Sequence, residues 1–152
     1  MYCACMENSD VVFTLLSTAA RLTRRLDSSL SLIKGISFSE YLLLSALRSH
    51  PTDAATRVDL ATAVGLSPSG VTRALKPLQK LGFVTTVRDE RDARKSLASL
   101  TPQGTELLND ADGVVDDSLA SIGALDALSV KAKAQFMQVL SGLADGHGPQ
   151  VR

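Results

Sequence analysis

Residues 57–101 constrain the fold of this chain more than any other stretch, because helix, turn and strand signals follow one another there without interruption. Hydrophobic periodicity and the flanking glycine and proline residues predict two helices joined by a tight turn, followed by two strands. The predicted segments are Arg57–Val64, Gly65–Ser67, Pro68–Leu81, Phe83–Val87 and Ser96–Leu100. Residues 88–95 are too polar to be buried and are predicted to form the tip of a hairpin. This order of elements is that of a winged helix-turn-helix, which places one helix in a DNA groove.

The ends of these helices carry the residues that helix termini require. Thr56 is predicted to cap the first helix together with Asp59, three residues further on. Ser67 followed by Pro68 is typical of a helix start, and Gly82 occupies the left-handed position that ends the second helix. The apolar positions at helical spacing, which predict the buried face, are Leu60, Ala61, Val64, Leu66, Val71, Ala74, Leu75 and Leu78.

Pro77 conflicts with this pattern, because it lies inside the second helix. A proline there removes a backbone donor and crowds the carbonyl group of Arg73, which costs about 3 kcal/mol or more. The sequence therefore predicts a kink or a loosened turn near Pro77, with a regular helix from Pro68 to Lys76.

Helices are also predicted on both sides of this region. One runs from about Ser9 to Lys34, and a capping box at residues 37–40 opens a short helix that residues 50–53 end. A long helix is predicted from Thr101-Pro102 to about Leu125, and Ser129 caps a last helix that ends near Asp145. The predicted apolar positions of the first helix are Val12, Leu15, Leu16, Ala19, Leu22, Leu26, Leu30 and Ile33. Those of the long helix are Leu107, Ala111, Val114, Val115, Ser118, Ile122 and Leu125, with Glu106, Asp110, Asp112, Asp116 and Asp117 in solvent.

The terminal helices carry more apolar surface than a small hairpin can cover, which predicts that a second copy of the chain covers it. The fold class is mainly α with a small β-hairpin, in one compact domain. Its predicted regions are an N-terminal dimerisation helix (residues 1–36), a winged helix-turn-helix (37–100) and C-terminal dimerisation helices (101–152). A two-fold symmetric dimer suits palindromic DNA, whereas the alternative is a monomer whose helices fold back on themselves.

Charge is distributed unevenly although the net charge is zero. Residues 67–95 hold seven basic and three acidic side chains, a net charge of +4, whereas residues 96–152 hold three basic and seven acidic side chains, a net charge of −4. Because DNA binding requires local positive charge rather than a basic protein, this pattern favours a phosphate-binding surface in the central region. The alternative is that these charges only keep the surface soluble.

Other functional classes find little support in the sequence. It has no apolar run long enough to cross a membrane and no apparent signal peptide, which predicts a cytoplasmic protein. No phosphate loop, nucleophile–base pair or metal-ligand spacing is present, so neither an enzyme nor a cofactor is predicted. Cys3 and Cys5 could sense oxidants or bind a soft metal, or belong to an incidental tail that Met6, as an alternative start, would remove. His50 and His147 are isolated.

The start of the second helix of the helix-turn-helix carries candidate DNA contacts. The candidates for phosphate binding are Ser67, the adjacent Pro68, and the hydroxyl groups of Ser69 and Thr72. Ser67 could instead serve only as a helix cap. Arg73 is a candidate for a bidentate contact to guanine, or else for a salt bridge to Asp92. Lys76 is expected to meet phosphate.

The hairpin tip carries a second set of candidates. Arg94 is predicted to enter the minor groove, supported at the DNA backbone by Arg91 and Lys95. Asp92 is negative and is therefore expected to orient Arg88 or Arg94 rather than touch DNA. The alternative is a hairpin tip that is merely solvated. The aromatic residues Phe13, Phe38 and Tyr41 are weak candidates for a ligand pocket and could equally be core residues.

Four motifs resemble the MarR family of bacterial transcriptional regulators over about residues 9–144. They are Leu66-Ser67-Pro68-Ser69-Gly70-Val71-Thr72-Arg73, Leu81-Gly82-Phe83-Val84, Arg88 with Asp92-Ala93-Arg94, and Leu100-Thr101-Pro102-Gln103-Gly104. The resemblance implies a homodimer built by the first and the last two helices, a recognition helix in the major groove and a wing tip in the minor groove. It also implies a small phenolic or lipophilic effector, or an oxidant sensed by cysteine. Pro77 is a departure from the family pattern.

Two hypotheses follow for the function. The first is a dimeric, sequence-specific regulator of transcription that binds palindromic double-stranded DNA and acts as a repressor relieved by a small molecule. The second is a protein-interaction module that kept the winged helix and lost DNA binding, which Pro77 and the zero net charge favour. Salt-dependent DNA binding at low ionic strength distinguishes the two.

Overall fold

The computed structural model of the chain describes residues 7–52, 54–88, 96–123 and 125–145. Within these ranges it has six α-helices and one antiparallel sheet of three short strands, as predicted for a mainly α winged helix. The elements are α1 (Asn8–Lys34), α2 (Phe38–Arg48), β1 (Ala55–Thr56), α3 (Arg57–Val64), α4 (Pro68–Lys80), β2 (Val84–Arg88), β3 (Ser96–Leu100), α5 (Pro102–Ala120) and α6 (Val130–Asp145).

The predicted caps begin helices α2 and α3. The hydroxyl group of Thr56 accepts a hydrogen bond from the backbone N–H of Asp59 at 3.1 Å, and the Asp59 carboxylate accepts one from the Thr56 N–H. Ser37 and Glu40 form the same reciprocal box at the start of α2. These bonds satisfy donors that would otherwise be unpaired in the first turn, so the sequence signals and the observed boundaries coincide.

The sheet has the strand order β1-β3-β2, with β3 in the centre. Residues Val84 to Arg88 pair with Leu100 to Ser96, which makes β2 and β3 the predicted hairpin. Strand β1 was not predicted, because two residues are too short to show a period of two. Its Ala55 is fully buried opposite Ala98 and so ties the start of α3 to the hairpin.

The core is aliphatic, as the low aromatic content predicts. Helix α2 contributes three fully buried leucines, and they pack with residues of the helix-turn-helix. The largest fully buried side chains are Leu30, Leu43, Leu44, Leu47, Leu60, Leu78, Leu108 and Val71. Helix α4 buries Val71, Leu75 and Leu78 on one face, and this packing fixes which face of α4 remains in solvent.

Pro77 does not end helix α4. The helix continues through it to Lys80, and the N–H of Leu81 donates to the Pro77 carbonyl at 3.0 Å. Since Leu75 and Leu78 are buried on either side of Pro77, tertiary packing holds the turn in which the proline lacks its own donor. The second half of α4 is therefore helical, although the sequence predicts a kink or a loosened turn near Pro77.

Helix α5 differs from its prediction in both length and buried face. It ends at Ala120 rather than near Leu125, because the Ser121 hydroxyl bonds back to the Ser118 carbonyl and Gly123 adopts a φ of +64°. The buried positions are Gly104, Leu108, Ala111 and Val115. Leu108 rather than the predicted Leu107 is fully buried, Ile122 and Leu125 are exposed, and Asp112 is half-buried rather than solvated.

The chain divides into two compact units, residues 1–115 and 116–152. In the first unit only Leu26 and Leu30 of α1 are buried, and Phe13 on the same helix is 75% exposed. Most of the predicted apolar stripe of α1 therefore lies uncovered within one chain. In the second unit α6 likewise exposes apolar side chains, among them Val130, Phe136, Met137, Val139 and Leu143.

No single helix within the described ranges is long and apolar enough to span a membrane. Helices α1 and α2 pass that test only as a pair, by length and composition, and they meet at an angle of 85°.

Candidate nucleic-acid interface

Helix α4 begins with a network of hydroxyl groups at its exposed N-terminus. The Ser67 Oγ accepts a hydrogen bond from the N–H of Gly70 at 3.1 Å and lies 3.0 Å from the Ser69 Oγ. The Thr72 hydroxyl donates to the Pro68 carbonyl at 2.9 Å. Ser67 is therefore a helix cap, and Thr72 reaches a phosphate as a donor only if it gives up this bond. The N-terminal N–H groups of a helix are well placed to bind anions.

The exposed face of α4 carries the two cations that the sequence assigns to DNA. Arg73 and Lys76 are exposed, one turn apart along the helix, opposite the buried Val71 and Leu75. Within the described residues neither has an ion-pair partner, and the alternative partner of Arg73, Asp92, lies outside those residues. Lys80 is exposed in the last turn. One face of α4 therefore presents hydroxyl groups and then positive charge.

The wing is described up to its tip. Arg88 is exposed at the end of β2 and pairs with Ser96 of β3. The predicted tip residues Arg91, Asp92, Arg94 and Lys95 lie outside the described residues, so their roles remain predictions. The structure does place the two strands that carry this tip directly after α4.

The turn between α4 and β2 is fixed by the start of α5. The Thr101 Oγ1 donates to the Gly82 carbonyl at 2.7 Å and accepts a hydrogen bond from the N–H of Gly104 at 3.0 Å. The N–H of Thr101 donates to the Phe83 carbonyl at 3.1 Å. A Cβ atom at Gly104 would overlap the Phe83 carbonyl oxygen and lie 2.9 Å from its carbon. The Leu-Thr-Pro-Gln-Gly motif is thus a junction that joins α4, the wing and α5.

A second junction joins α2 to α5 through charged and polar side chains. The Arg48 guanidinium donates to the Asp112 carboxylate at 2.7 Å, and the Tyr41 hydroxyl donates to the same carboxylate at 3.0 Å. The hydrogen bond from Arg48 lowers the pKa of Asp112, whereas burial and the hydrogen bond to Asp112 raise the pKa of Tyr41. The bond to Asp112 also raises the pKa of Arg48.

Replacing Asp112 with asparagine should destabilise the protein by about 1 kcal/mol at pH 7, because the Arg48 side chain is 41% exposed and solvent screens the pair. A carboxylate with a lowered pKa contributes stability that is present above its unfolded pKa near 3.8 and is lost as the pH falls through the folded value. The difference between wild type and D112N in urea unfolding should therefore be constant from pH 7 to pH 5 and shrink below about pH 4.

Asp110→Asn is the matched control for this measurement. It removes the 2.8 Å ion pair with Lys34, but the Asp110 side chain is 65% exposed, so the loss should be a few tenths of a kcal/mol. Equal losses for D110N and D112N would contradict the role assigned to the cluster of Tyr41, Arg48 and Asp112.

The aromatic residues proposed for a ligand pocket do not come together as a set. The rings of Phe38 and Tyr41 stack with centroids 6.0 Å apart, at half-buried positions on α2. Phe13 lies on the exposed part of α1. Shallow concavities of the described surface are lined by other residues, including Leu42, Ala46 and Ala63 between α2 and α3.

Metal chemistry has no candidate in the described ranges, where no three His, Cys, Asp or Glu residues are grouped to hold an ion. Cys3, Cys5, Met6 and His147 lie outside these ranges. The imidazole Nδ1 of His50 lies 3.0 Å from the Thr52 hydroxyl in the exposed turn after α2.

Solved structures resemble this chain over nearly its whole length. Sco3205 of Streptomyces coelicolor, a MarR family transcriptional regulator in complex with DNA, is 23% identical with a TM-score of 0.81, over 99% of this chain and 93% of that one. CouR of Rhodococcus jostii RHA1 bound to p-coumaroyl-CoA is 20% identical with a TM-score of 0.79, over 93% and 96%. S. aureus MepR in its DNA complex is 19% identical with a TM-score of 0.74, over 89% and 96%. These likenesses establish the fold.

Residues 34–95 match a family model described as the MarR family. That stretch of the chain is similar to the MarR family. A comparison with curated proteins gives no match. The matched segment contains α2, the helix-turn-helix and the start of the wing, and the structural likeness extends to the flanking helices.

Sequence reasoning missed contacts that hold α4, the wing and α5 in place. The Gln79 side-chain amide donates to the Thr86 hydroxyl, joining α4 to β2. Arg48 and Asp112 join α2 to α5 across 64 residues of sequence. Helical spacing could have indicated that Gln79 lies beside the buried Leu75 and Leu78, but nothing local reveals a partner on another element.

Proposed function

We propose that this chain is a dimeric, sequence-specific DNA-binding regulator of transcription. The observation that carries the proposal is the exposed face of α4, where capping hydroxyl groups at the N-terminus are followed by Arg73 and Lys76 without ion-pair partners among the described residues. A helix with such a face can enter the major groove, with phosphates at its N-terminus and base edges opposite Arg73. MarR-family proteins are transcriptional regulators rather than enzymes.

The proposed DNA contacts follow the exposed residues of α4 and the wing. They are Ser67, Pro68, Ser69, Thr72, Arg73, Lys76, Arg91, Arg94 and Lys95, with Arg88 and Asp92 as wing-orienting residues. Sco3205 and MepR have been solved in complex with DNA, which supports the same use of this fold here.

A homodimer is part of the proposal because α1 and α6 each leave apolar side chains in solvent within one chain. Val130 at the start of α6 is 86% exposed, and Phe13 and Leu16 on α1 are exposed as well. Burying such surface against a second copy would stabilise the assembly and give it the two-fold symmetry of a palindromic operator.

Regulation by a small molecule and a cytoplasmic location complete the proposal. CouR has been solved bound to p-coumaroyl-CoA, and 6-hydroxynicotinic acid regulates DNA binding by BpsR of Bordetella bronchiseptica. Both support a small-molecule effector that relieves repression. Phe38 and Tyr41, whose rings stack on α2, are the proposed pocket residues, and a phenolic or lipophilic molecule is the proposed ligand class. A regulator of transcription acts where the DNA is, which in a bacterium is the cytoplasm.

The test is a selection of bound sequences from random duplex DNA, followed by titration of the selected site against salt. An enriched palindrome, with an affinity that falls steeply as salt rises, is the expected result, because each neutralised phosphate releases counterions. A folded dimer that enriches no sequence and binds no DNA at low ionic strength would instead favour the protein-interaction module. Helix α4 runs through Pro77 to Lys80, which weakens one of the two reasons for that alternative.

A further inference from the structure

One side-chain hydrogen bond connects the proposed recognition helix directly to the wing. The Gln79 Nε2 in the last turn of α4 donates to the Thr86 Oγ1 at the centre of β2. Both residues are half-buried, so solvent competes weakly for the two groups. The bond links two elements that must bind the same DNA half-site at different grooves.

Thr86 lies at the middle of β2, where the side chains of the wing pass from buried to exposed. Val84, Thr86 and Arg88 lie on one face of the strand, since side chains alternate between faces. Val84 is buried, Thr86 is half-buried opposite the buried Ala98, and Arg88 is exposed. The wing therefore leaves the body of the protein at Thr86. Val87 and Arg88 each lie about 3.4 Å further out along the strand, so a tilt at Thr86 grows along it.

The fold does not depend on this bond, because the backbone fixes the turn between the two elements. The N–H of Phe83 donates to the Leu78 carbonyl at 2.9 Å, and the N–H of Gly82 donates to the Gln79 carbonyl at 3.1 Å. Thr101 holds the Gly82 carbonyl from the other side. These bonds hold the base of the wing. The pairing of β1 with β3 holds the hairpin at its other edge, and the contact at Thr86 holds β2 on the side of α4.

We infer that Gln79 is a positioning residue that sets the direction of the wing relative to the recognition helix. Its amide group is engaged by Thr86, so it acts on DNA through the wing and not by reading a base. This inference rests on the proposed DNA binding. The bond between Gln79 and Thr86 couples the proposed DNA contacts of α4 to those of the wing.

The test compares three variants by affinity for the selected operator, salt dependence and thermal unfolding. Thr86→Val keeps the shape and branching of the side chain but removes the acceptor, and Gln79→Leu removes the donor. Each should weaken operator binding about tenfold and reduce the slope of log K against log salt, because wing–phosphate contacts are lost. The melting temperatures should stay within about 2 °C of the wild-type value. The double variant should bind as each single variant does, because the two residues act through one bond.

Thr85→Val is the matched control, since Thr85 is exposed on the opposite face of β2. It should leave both the affinity and the salt slope unchanged. Unchanged values for T86V while the wild-type protein binds its operator would overturn the positioning role. Additive losses of affinity in the double variant would also overturn it. The same holds if T86V or Q79L weakens binding with an unchanged salt slope and a lowered melting temperature. A wild-type protein that binds no DNA would instead overturn the proposed function.

Discussion

Replacing Gly104 with alanine should destabilise the protein by about 3 kcal/mol or more, because the added methyl group has no space. It would overlap the backbone carbonyl of Phe83, which is held in place as the acceptor for the Thr101 N–H. Unlike a flexible side chain, a backbone carbonyl in a hydrogen-bonded turn cannot rotate away. Relief requires the start of α5 to move away from the wing, and this breaks the bonds of Thr101 to Gly82 and Gly104.

Thermal and urea unfolding measure the effect, with Gly113→Ala as the control on the same helix. A Cβ atom at Gly113 would have no neighbour within 4 Å, so alanine should stabilise the helix by about 0.5 kcal/mol. For a chain of this size, the loss at Gly104 corresponds to a melting temperature lower by about 10 °C. Equal stability of G104A and G113A would show that α5 does not approach the turn as closely as described.

The fold was largely predictable because its boundaries are set locally. The hydroxyl group of Thr56 and the carboxylate of Asp59 find their partners within three residues, and Gly65 ends α3 with a φ of +67°. Signals of this kind need no tertiary contact to act. The same holds for Ser67, whose cap gives α4 its start and thereby sets which residues face solvent.

The structure differs from the sequence prediction where contacts between distant residues determine the local structure. The two-residue strand β1 exists because Ala55 pairs with Ala98, and the buried face of α5 is chosen by what Gly104 and Leu108 pack against. Asp112 looked like a solvated acid by spacing alone, yet it accepts hydrogen bonds from Arg48 and Tyr41. No local pattern encodes these contacts, because Ala98 is 43 positions from Ala55, and Asp112 is 64 and 71 positions from Arg48 and Tyr41.

The candidate site divides in the same way. The residues of α4 could be assigned from sequence, since a buried apolar face leaves Arg73 and Lys76 on the other side. The support of the wing could not, because Gln79 and Thr86 belong to elements whose mutual packing is tertiary. Sequence thus identified the groups proposed to touch DNA better than the groups that orient them.

Replacing Arg73 with alanine should relax sequence specificity. A guanidinium that donates two hydrogen bonds to guanine discriminates against the wrong base by about 1–3 kcal/mol, so a symmetric operator should lose that amount in each half-site. Binding to random DNA should fall far less, because it depends on phosphate contacts that remain. The measurement is the affinity of wild type and R73A for the operator, for random duplex DNA and for operators changed at one symmetric position.

Lys76→Ala and Arg94→Ala provide the contrast, because both residues are assigned to contacts that carry little base information. Lys76 is exposed one turn beyond Arg73 on the same helix, so its removal should weaken operator and random DNA alike and lower the salt slope by about one per half-site. R94A should likewise weaken binding to every sequence. If R73A reduced the affinity for operator and random DNA equally, Arg73 would be a phosphate contact, and base reading would fall to other residues of α4. If instead only R73A changed the preferred base, the Arg73 guanidinium would be the group that reads sequence. Lys76 shares its helix and its exposure but lacks the planar pair of donors.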